Sequence, residues 1–250
     1  DNLIRLKKLS KLIVCGSADN HWKISNIHVL GNLSQLKYLD ISSNNISDFS
    51  FFKTLTELQF LFIASSGISN IEFLEDLIDL KYLDLYLNNF SYINSLTKLQ
   101  KLEKLDLRDN EIYDYENLSK IKHLNTLHIR DSNLRALDFL KSVKHLKHLT
   151  IDSMEVDNLN VLENLIHLES LEIQNNTISD INFLKSLTNL TYLNASQNRI
   201  TNITSISALI NLQFLQLNNN NISEISSLSS LLNLKSLGLS NNLISDMRSL

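Results

Sequence analysis

The sequence predicts an α/β solenoid, a curved horseshoe with a parallel β-sheet on its concave face and short 3₁₀ turns on its convex face. Three observations predict this fold. Apolar residues recur with a 22-residue period along nearly the whole chain, and each period contains a short alternation of apolar and polar residues. An asparagine or a small polar residue follows that alternation in most periods. The period is interpreted first, because a missed repeat changes the whole fold assignment.

The repeated unit is clearest between residues 33 and 54, which read LSQLKYLDISSNNISDFSFFKT. The same apolar spacing returns in every later period, and no linker or change in composition interrupts it. We therefore expect a single domain over residues 1–250. Because the sequence starts and stops inside a repeat, we expect both ends to be truncated. Eleven repeats are predicted, starting at Leu6, Leu33, Leu55, Leu77, Leu99, Ile121, Val143, Leu165, Leu187, Leu209 and Leu231.

Each repeat is predicted to have two halves. In the first half, Leu39 and Ile41 face the core and Tyr38 and Asp40 face outward, because strand side chains alternate. Successive repeats then pair as parallel strands about 4.8 Å apart. The second half is too short for an α-helix and fits a 3₁₀ turn. A single repeat cannot bury its own apolar face, so stability must come from contacts between neighbouring repeats.

A column of asparagines is predicted to stabilise the turn that follows each strand. The amide of such a residue can bond backbone groups that the turn exposes. Met154 is the member of the column with no comparable side chain, so we expect a distorted turn there, or backbone groups bonded to water. The column reads Ser17, Asn44, Ser66, Asn88, Asn110, Ser132, Met154, Asn176, Asn198, Asn220 and Asn242.

The first repeat is irregular, because it spans 27 residues instead of 22. The additional residues lie between Ala18 and Trp22 and include the only tryptophan of the chain. Insertions in repeat proteins map to loops on one face, often the binding face. Two interpretations remain open: Trp22 covers an edge of the hydrophobic stack, or it belongs to a binding loop with His21.

The segments LKYLDLYLN, LEKLDLRDN and LQFLQLNNN match the L-x-x-L-x-L-x-x-N pattern of leucine-rich repeats. With the N-x-I-S-D-I phrase that follows, the chain resembles the short-repeat class, which includes bacterial internalins and the regulatory subunit of protein phosphatase 1. The resemblance implies a protein-binding scaffold. Internalins usually carry proline in the second half of each repeat, and this chain has none. The segment ISNIEFLEDL favours the phosphatase branch, but no matching set of phosphatase-contacting residues is identified.

Composition narrows the possible partners. The net charge of −4 and the pI near 6.0 provide no basic field for nucleic acid or anionic lipid. A single cysteine, Cys15, excludes an internal disulfide framework. No apolar run is long enough to insert in a membrane. We expect a monomer that binds a protein partner, with no cofactor.

The outward strand residues form a face predicted to be about 50 Å long, which suits a protein partner better than a small molecule. Its first third is aromatic, and exposed aromatic clusters of this kind resemble binding hot spots. The alternative is cross-strand stacking that only stabilises the sheet. The predicted partner-binding aromatics are Tyr38, Phe60, Phe62, Tyr82 and Tyr86, with a smaller patch at Tyr192 and Phe214.

A charged zone follows the aromatic residues on the same face. Like charges lie on neighbouring strands, which is unfavourable unless diagonal pairs or a partner compensate them. Two interpretations remain open: contacts to a partner, or a self-compensating lattice in which Arg130 pairs with Asp106 and with Asp152. The zone comprises Asp84, Asp106, Arg108, His128, Arg130, His148, Asp152 and Glu172.

The sequence contains no enzyme signature. With four glycines in the chain, a glycine-rich phosphate loop is excluded. His123, His145 and His167 occupy one position in three consecutive repeats, which repeat duplication explains better than a metal site. A catalytic pair of Cys15 with His21 would need an enclosed pocket, and none is evident.

Two classes of function follow. The leading interpretation is a non-enzymatic scaffold that binds a protein on the concave face, as an internalin-like bacterial surface or secreted protein. The alternative is the substrate-recognition region of a larger enzyme or effector, or a phosphatase-regulatory protein, for which a cytoplasmic location would follow.

Overall fold

The computed structural model describes residues 5–16, 24, 26–131, 134 and 137–248. These residues belong to two compact units, Asp1–Leu124 and Asn125–Leu250. The inserted segment with His21 and Trp22 and the column members Ser17 and Ser132 lie outside the described residues.

In the first unit, five short strands lie in sequence order, and each pairs in parallel with the next. The register is regular: Tyr38 lies opposite Phe60, and Phe60 lies opposite Tyr82. Lys11 lies opposite Tyr38, so the long first repeat keeps its strand in register. The strands are β1 (Lys11–Ile13), β2 (Tyr38–Asp40), β3 (Phe60–Phe62), β4 (Tyr82–Asp84) and β5 (Lys104–Asp106).

The second unit repeats the arrangement with strands that pair in parallel from β6 to β11. The predicted strands are thus confirmed in both units. The strands are β6 (Thr126–Ile129), β7 (His148–Ile151), β8 (Ser170–Glu172), β9 (Tyr192–Asn194), β10 (Phe214–Gln216) and β11 (Ser236–Gly238).

Among the described residues, the second half of every repeat except the last forms the predicted 3₁₀ turn. Within a unit these short helices pack against one another, and their bounds shift with the repeat. They span Ile27–Asn32, Ser50–Thr54, Glu72–Leu74, Asn94–Lys98 and Tyr115–Lys120 in the first unit, and Asp138–Ser142, Asn160–Asn164, Asn182–Ser186, Thr204–Ala208 and Ser226–Ser230 in the second.

The core lies between strands and 3₁₀ helices and consists of leucine and isoleucine columns. Leu39, Ile41 and Leu127 are fully buried, as the alternation predicts. Phe52 is also buried, but Phe49, three residues before it, is only half-buried and stacks on Phe73 with the ring centroids 4.4 Å apart. It therefore shields the edge of the core instead of filling it.

The asparagine ladder holds each turn against the repeat before it. The Asn88 amide donates to the carbonyls of Leu85 and Ile63 at 3.0 Å each. Its oxygen accepts from the backbone N–H groups of Ser66 and Ile68 at 3.1 and 3.0 Å. The carbonyl contacts recur at Asn110, Asn176, Asn198, Asn220 and Asn242, so the ladder fixes where the strand face ends.

The turn at Met154 is distorted, as expected. In most described repeats the residue before the column member has a positive φ, as Leu87 does at 53°. At Met154 the next residue, Glu155, also has a positive φ of 56°, and Gly67 has the same feature after Ser66. The Met154 side chain is buried and its backbone N–H donates to the Asn176 amide oxygen at 3.0 Å. This is the bond that Asn88 makes to the N–H of Ser66, so the next rung of the ladder is unchanged.

Candidate functional site

The strand face of the first unit presents a continuous layer of aromatic rings, which we call the aromatic patch: Tyr38, Phe60, Phe62 and Tyr82. The ring of Tyr38 lies 6.0 Å from that of Phe60 and 5.2 Å from that of Phe62. Phe62 in turn stacks on Tyr82 at 4.7 Å. The rings stabilise one another across strands, yet Phe60 remains 38% exposed and the other three are half-buried. The cluster therefore stacks across the strands and still leaves apolar ring surface exposed.

Tyr86 was predicted as a member of the same cluster, but its ring contact is with a cation. The Arg108 guanidinium lies 5.5 Å from the centroid of the Tyr86 ring. The same guanidinium bonds the Asp106 carboxylate at 2.5 Å. Tyr86 thus links the aromatic patch to the charged zone.

Two carboxylates stand on either side of Phe62, because Asp40 and Asp84 are its register partners on β2 and β4. Asp40 accepts the backbone N–H of Ser42 at 3.1 Å, and Asp84 accepts that of Tyr86 at 2.9 Å. Burial raises the pKa of Asp84, and the neighbouring Asp106 carboxylate adds to that rise. The apolar rings therefore lie among partly desolvated negative charges.

Sequence reasoning did not include Asp40, Lys11 or Cys15 in the predicted site. The Lys11 ammonium lies 4.2 Å from the centroid of the Tyr38 ring, a cation–π contact at one end of the patch. Partial burial, together with a hydrogen bond to Asp40, raises the pKa of the exposed Cys15 thiol to about 11. The signal for Asp40 and Lys11 was their place in the same outward columns as Phe62 and Tyr38.

Asp106, predicted as an outward-facing member of the charged zone, is more buried than its place on that face implies. The residue is only 5% exposed, and its carboxylate is paired with Arg108 on its own chain segment. The Arg108 guanidinium lies against this carboxylate and bonds both of its oxygens. The opposite charges of Asp106 and Arg108 therefore largely neutralise each other.

In the second unit, Arg130 pairs with Asp152 at 3.0 Å, which confirms one pair of the predicted lattice. Asp152 is only 5% exposed. His128 bonds the Thr150 hydroxyl through Nδ1 at 2.8 Å, and His148 on the next strand is half-buried. Much of this charged zone is thus bonded internally, which favours the structural interpretation over direct contact with a partner.

The smaller aromatic patch at the far end of the second unit is looser than the first. The rings of Tyr192 and Phe214 lie 6.4 Å apart and are tilted by 39°. Phe214 is 41% exposed, and burial raises the pKa of the Tyr192 hydroxyl, with a further contribution from Glu172. This pair of rings is therefore smaller and less closely packed than the aromatic patch.

The histidine column carries no metal constellation. His145 and His167 are exposed and line an open groove of about 620 Å³ beside the ion pair of Lys147 with Glu169. Within the described part of the chain, no three histidine, cysteine or acidic side chains come together as metal ligands. No helix in that same part is long and apolar enough to span a bilayer.

Comparisons with known proteins agree with this repeat architecture. A family model described as Leucine Rich repeats (2 copies) matches residues 166–209 and 210–250, and one described as Leucine Rich Repeat matches residues 35–55. A solved internalin C2 from Listeria monocytogenes is 30% identical, with a TM-score of 0.65, and the match covers 70% of this chain and 77% of that one. The chain belongs to the internalin-like leucine-rich repeat family.

Two further structures support the fold assignment. An internalin, InlF, from Listeria monocytogenes is 28% identical with a TM-score of 0.76, and the match covers 98% of this chain and 84% of that one. The plant peptide hormone receptor RGFR1, solved in complex with RGF2, is 21% identical with a TM-score of 0.64, covering 96% of this chain and 45% of that one. A comparison with curated protein sequences returns no match. The internalin-like chain therefore has the predicted α/β leucine-rich repeat fold, which in this family serves as a scaffold for protein interaction.

Proposed function

We propose that the internalin-like chain binds a protein partner on its strand face, the concave face of the predicted horseshoe, with the aromatic patch as its main contact. The observation that carries the proposal is the continuous ring layer from Tyr38 through Phe62 to Tyr82, which leaves Phe60 exposed. Aromatic side chains supply large contact areas with little loss of conformational entropy, and they dominate the energy of protein interfaces.

The charged zone plays a supporting part in this proposal. Its arginines are already held by carboxylates, as Arg108 is by Asp106 and Arg130 by Asp152. Partly exposed pairs of this kind contribute little to affinity but orient an approaching partner. Similarity to the two Listeria internalins supports a setting on the surface of a bacterium or in its secretions.

A pull-down with the purified chain tests the proposal. Lysates of candidate host cells and of the source cell are passed over wild type and over Phe60→Ser/Phe62→Ser/Tyr82→Ser. We expect a protein that the wild type retains and the triple variant loses.

The matched control is Tyr92→Ser/Tyr113→Ser, which removes two aromatics that are 62% and 65% exposed elsewhere in the same unit. It should retain the partner. Thermal melting of all three proteins separates lost contact from lost folding. Equal capture by the wild type and by a folded triple variant would refute the site.

A further inference from the structure

We propose that the first unit carries a second binding surface, the tyrosine pair of Tyr92 and Tyr113, which binds an arginine-containing basic segment of a protein partner. The two rings lie on neighbouring repeats with their centroids 6.0 Å apart and their planes at 66°. They are 62% and 65% exposed, so much of each ring surface is open to solvent. Because the pair lies in the segments that follow β4 and β5, it is separate from the strand residues of the aromatic patch.

The other repeats show which side chains the fold itself favours at the position of Tyr92. In seven of them an acidic or amide side chain accepts the backbone N–H two residues further on, which helps to begin the 3₁₀ turn. The phenol group of Tyr92 lies at the end of a long ring and does not replace this acceptor. The seven residues are Asp48, Asn70, Asn158, Asp180, Asn202, Glu224 and Asp246.

Tyr113 and Leu87 depart from the repeat in the same direction. The residues that correspond to Tyr113 in the other described repeats are serine, threonine or aspartate. Leu87 is 47% exposed and has a φ of 53°, a left-handed conformation that serine, aspartate, asparagine or glutamine adopts at the corresponding positions. A leucine is strained there and gains little burial. Three exposed apolar side chains in two neighbouring repeats, where the fold favours small polar residues, are typical of a binding surface.

The charge around the tyrosine pair specifies the chemistry of the partner. Residues 109–116 include four acidic residues and no lysine or arginine. Glu111 and Glu116 are exposed. Lys120, on the same 3₁₀ turn as Glu116, donates to the Asn117 amide oxygen at 2.8 Å. The local field is therefore negative and complements a basic segment.

Asp114 holds one of these carboxylates close to the tyrosine pair. It follows Tyr113 directly, and it accepts the backbone N–H of Ile93, the residue after Tyr92, at 2.8 Å. A second bond, from the Asn117 amide at 2.7 Å, holds the carboxylate in this place. A guanidinium is planar, so it can stack on an exposed ring and direct its N–H groups to a carboxylate at the same time. Arginine therefore suits this surface better than lysine does.

An NMR titration with defined probes tests this inference. The probes are four capped pentapeptides, Ac-Gly-X-Gly-X-Gly-NH₂, with arginine, lysine, norleucine or glutamate as X. We expect the arginine peptide to shift the backbone amides of residues 91–93 and 112–114 in a saturable manner. The lysine peptide should bind more weakly, because an ammonium group does not stack on a ring as a guanidinium does. The norleucine peptide, which lacks the charge, should be weaker still, and the glutamate peptide should not bind there.

The repeats also supply a variant that separates binding from folding. Leu87→Ser/Tyr92→Asn/Tyr113→Ser introduces at each position a residue that other repeats carry there. It should bind the arginine peptide about three- to tenfold more weakly, the loss expected for two exposed cation–π contacts. Its melting temperature should equal or exceed that of the wild type, because the replaced residues do not serve the fold.

The charge contribution has its own pair of variants. Glu111→Gln/Glu116→Gln should also weaken the arginine peptide. The matched control is Glu57→Gln/Asp76→Asn, which changes the net charge equally at two exposed positions outside this surface. It should leave the affinity unchanged.

Three results would overturn the inference. They are no saturable shift with the arginine peptide, equal binding of the norleucine peptide, and a Leu87, Tyr92 and Tyr113 variant that keeps the affinity or melts below the wild type. The aromatic-patch variant Phe60→Ser/Phe62→Ser/Tyr82→Ser should bind the arginine peptide as the wild type does. A loss of binding in that variant would place the peptide on the aromatic patch and would also contradict the inference.

Discussion

Replacing Asn88 by alanine tests whether the asparagine ladder stabilises the first unit. The side chain is 4% exposed and makes four hydrogen bonds of 3.0–3.1 Å to the backbone of two successive repeats. With about 1 kcal/mol of net stabilisation for each bond, the variant should lose about 4 kcal/mol of the free energy of unfolding. Asn89 is the matched control, because its exposed side chain carries none of these bonds.

Two measurements check the Asn88→Ala prediction. Urea denaturation followed by circular dichroism should show a large loss for Asn88→Ala and a change within about 0.5 kcal/mol for Asn89→Ala. Hydrogen exchange should show faster exchange at the amides of Ser66 and Ile68, which lose their acceptor. If both variants unfold at the same urea concentration and these two amides stay protected, the ladder is not the source of stability.

Two further predictions concern the core and the acidic strand residues. Leu127 is fully buried, so Leu127→Ala should lower the free energy of unfolding in urea by about 2–5 kcal/mol. Leu232 is 89% exposed, so Leu232→Ala should have little effect. Similar losses for the two variants would contradict the core assignment. Burial and the neighbouring Asp106 carboxylate raise the pKa of Asp84 in the folded chain. The Asp84 carboxyl therefore stabilises the folded chain below its unfolded pKa, and this stabilisation is lost as the pH rises through the folded pKa. Asp84→Asn should therefore raise the melting temperature relative to wild type at about pH 7 but not at about pH 3. The control is Asp76→Asn, at an exposed position. A variant with Asp84→Asn that melts below wild type at the higher pH would contradict the argument.

Much of the fold was predictable because the repeat determines where each strand recurs along the chain and which of its side chains face the core. Once Leu39 and Ile41 are assigned to the core, the alternation places Tyr38 outward, and the period transfers the assignment to Phe60 and Tyr82. The asparagine ladder was predictable because the same turn recurs in each repeat. One asparagine side chain can bond the backbone groups that this turn exposes.

The details of the site were less predictable, because a column of outward residues does not reveal their exposure. Asp106 was placed on the outward face, yet it is only 5% exposed and its carboxylate is bound by Arg108. The turn after Met154 shows the same limit: its loss of an asparagine was visible, but the left-handed backbone at Glu155 was not.

The ladder also has a consequence for how such chains change length during evolution. Asn198 bonds the carbonyl of Ile173 and the N–H of Ile178, and Asn220 makes the corresponding bonds to Ala195 and Ile200. Each asparagine also bonds a carbonyl of its own repeat, Ala195 for Asn198 and Leu217 for Asn220, so a rung depends only on its own repeat and the one before it. An in-frame recombination that deletes or duplicates one whole repeat re-forms the same rung with a new neighbour. The strand face of the protein can thus become longer or shorter in steps of one strand, about 4.8 Å each, while the fold stays the same.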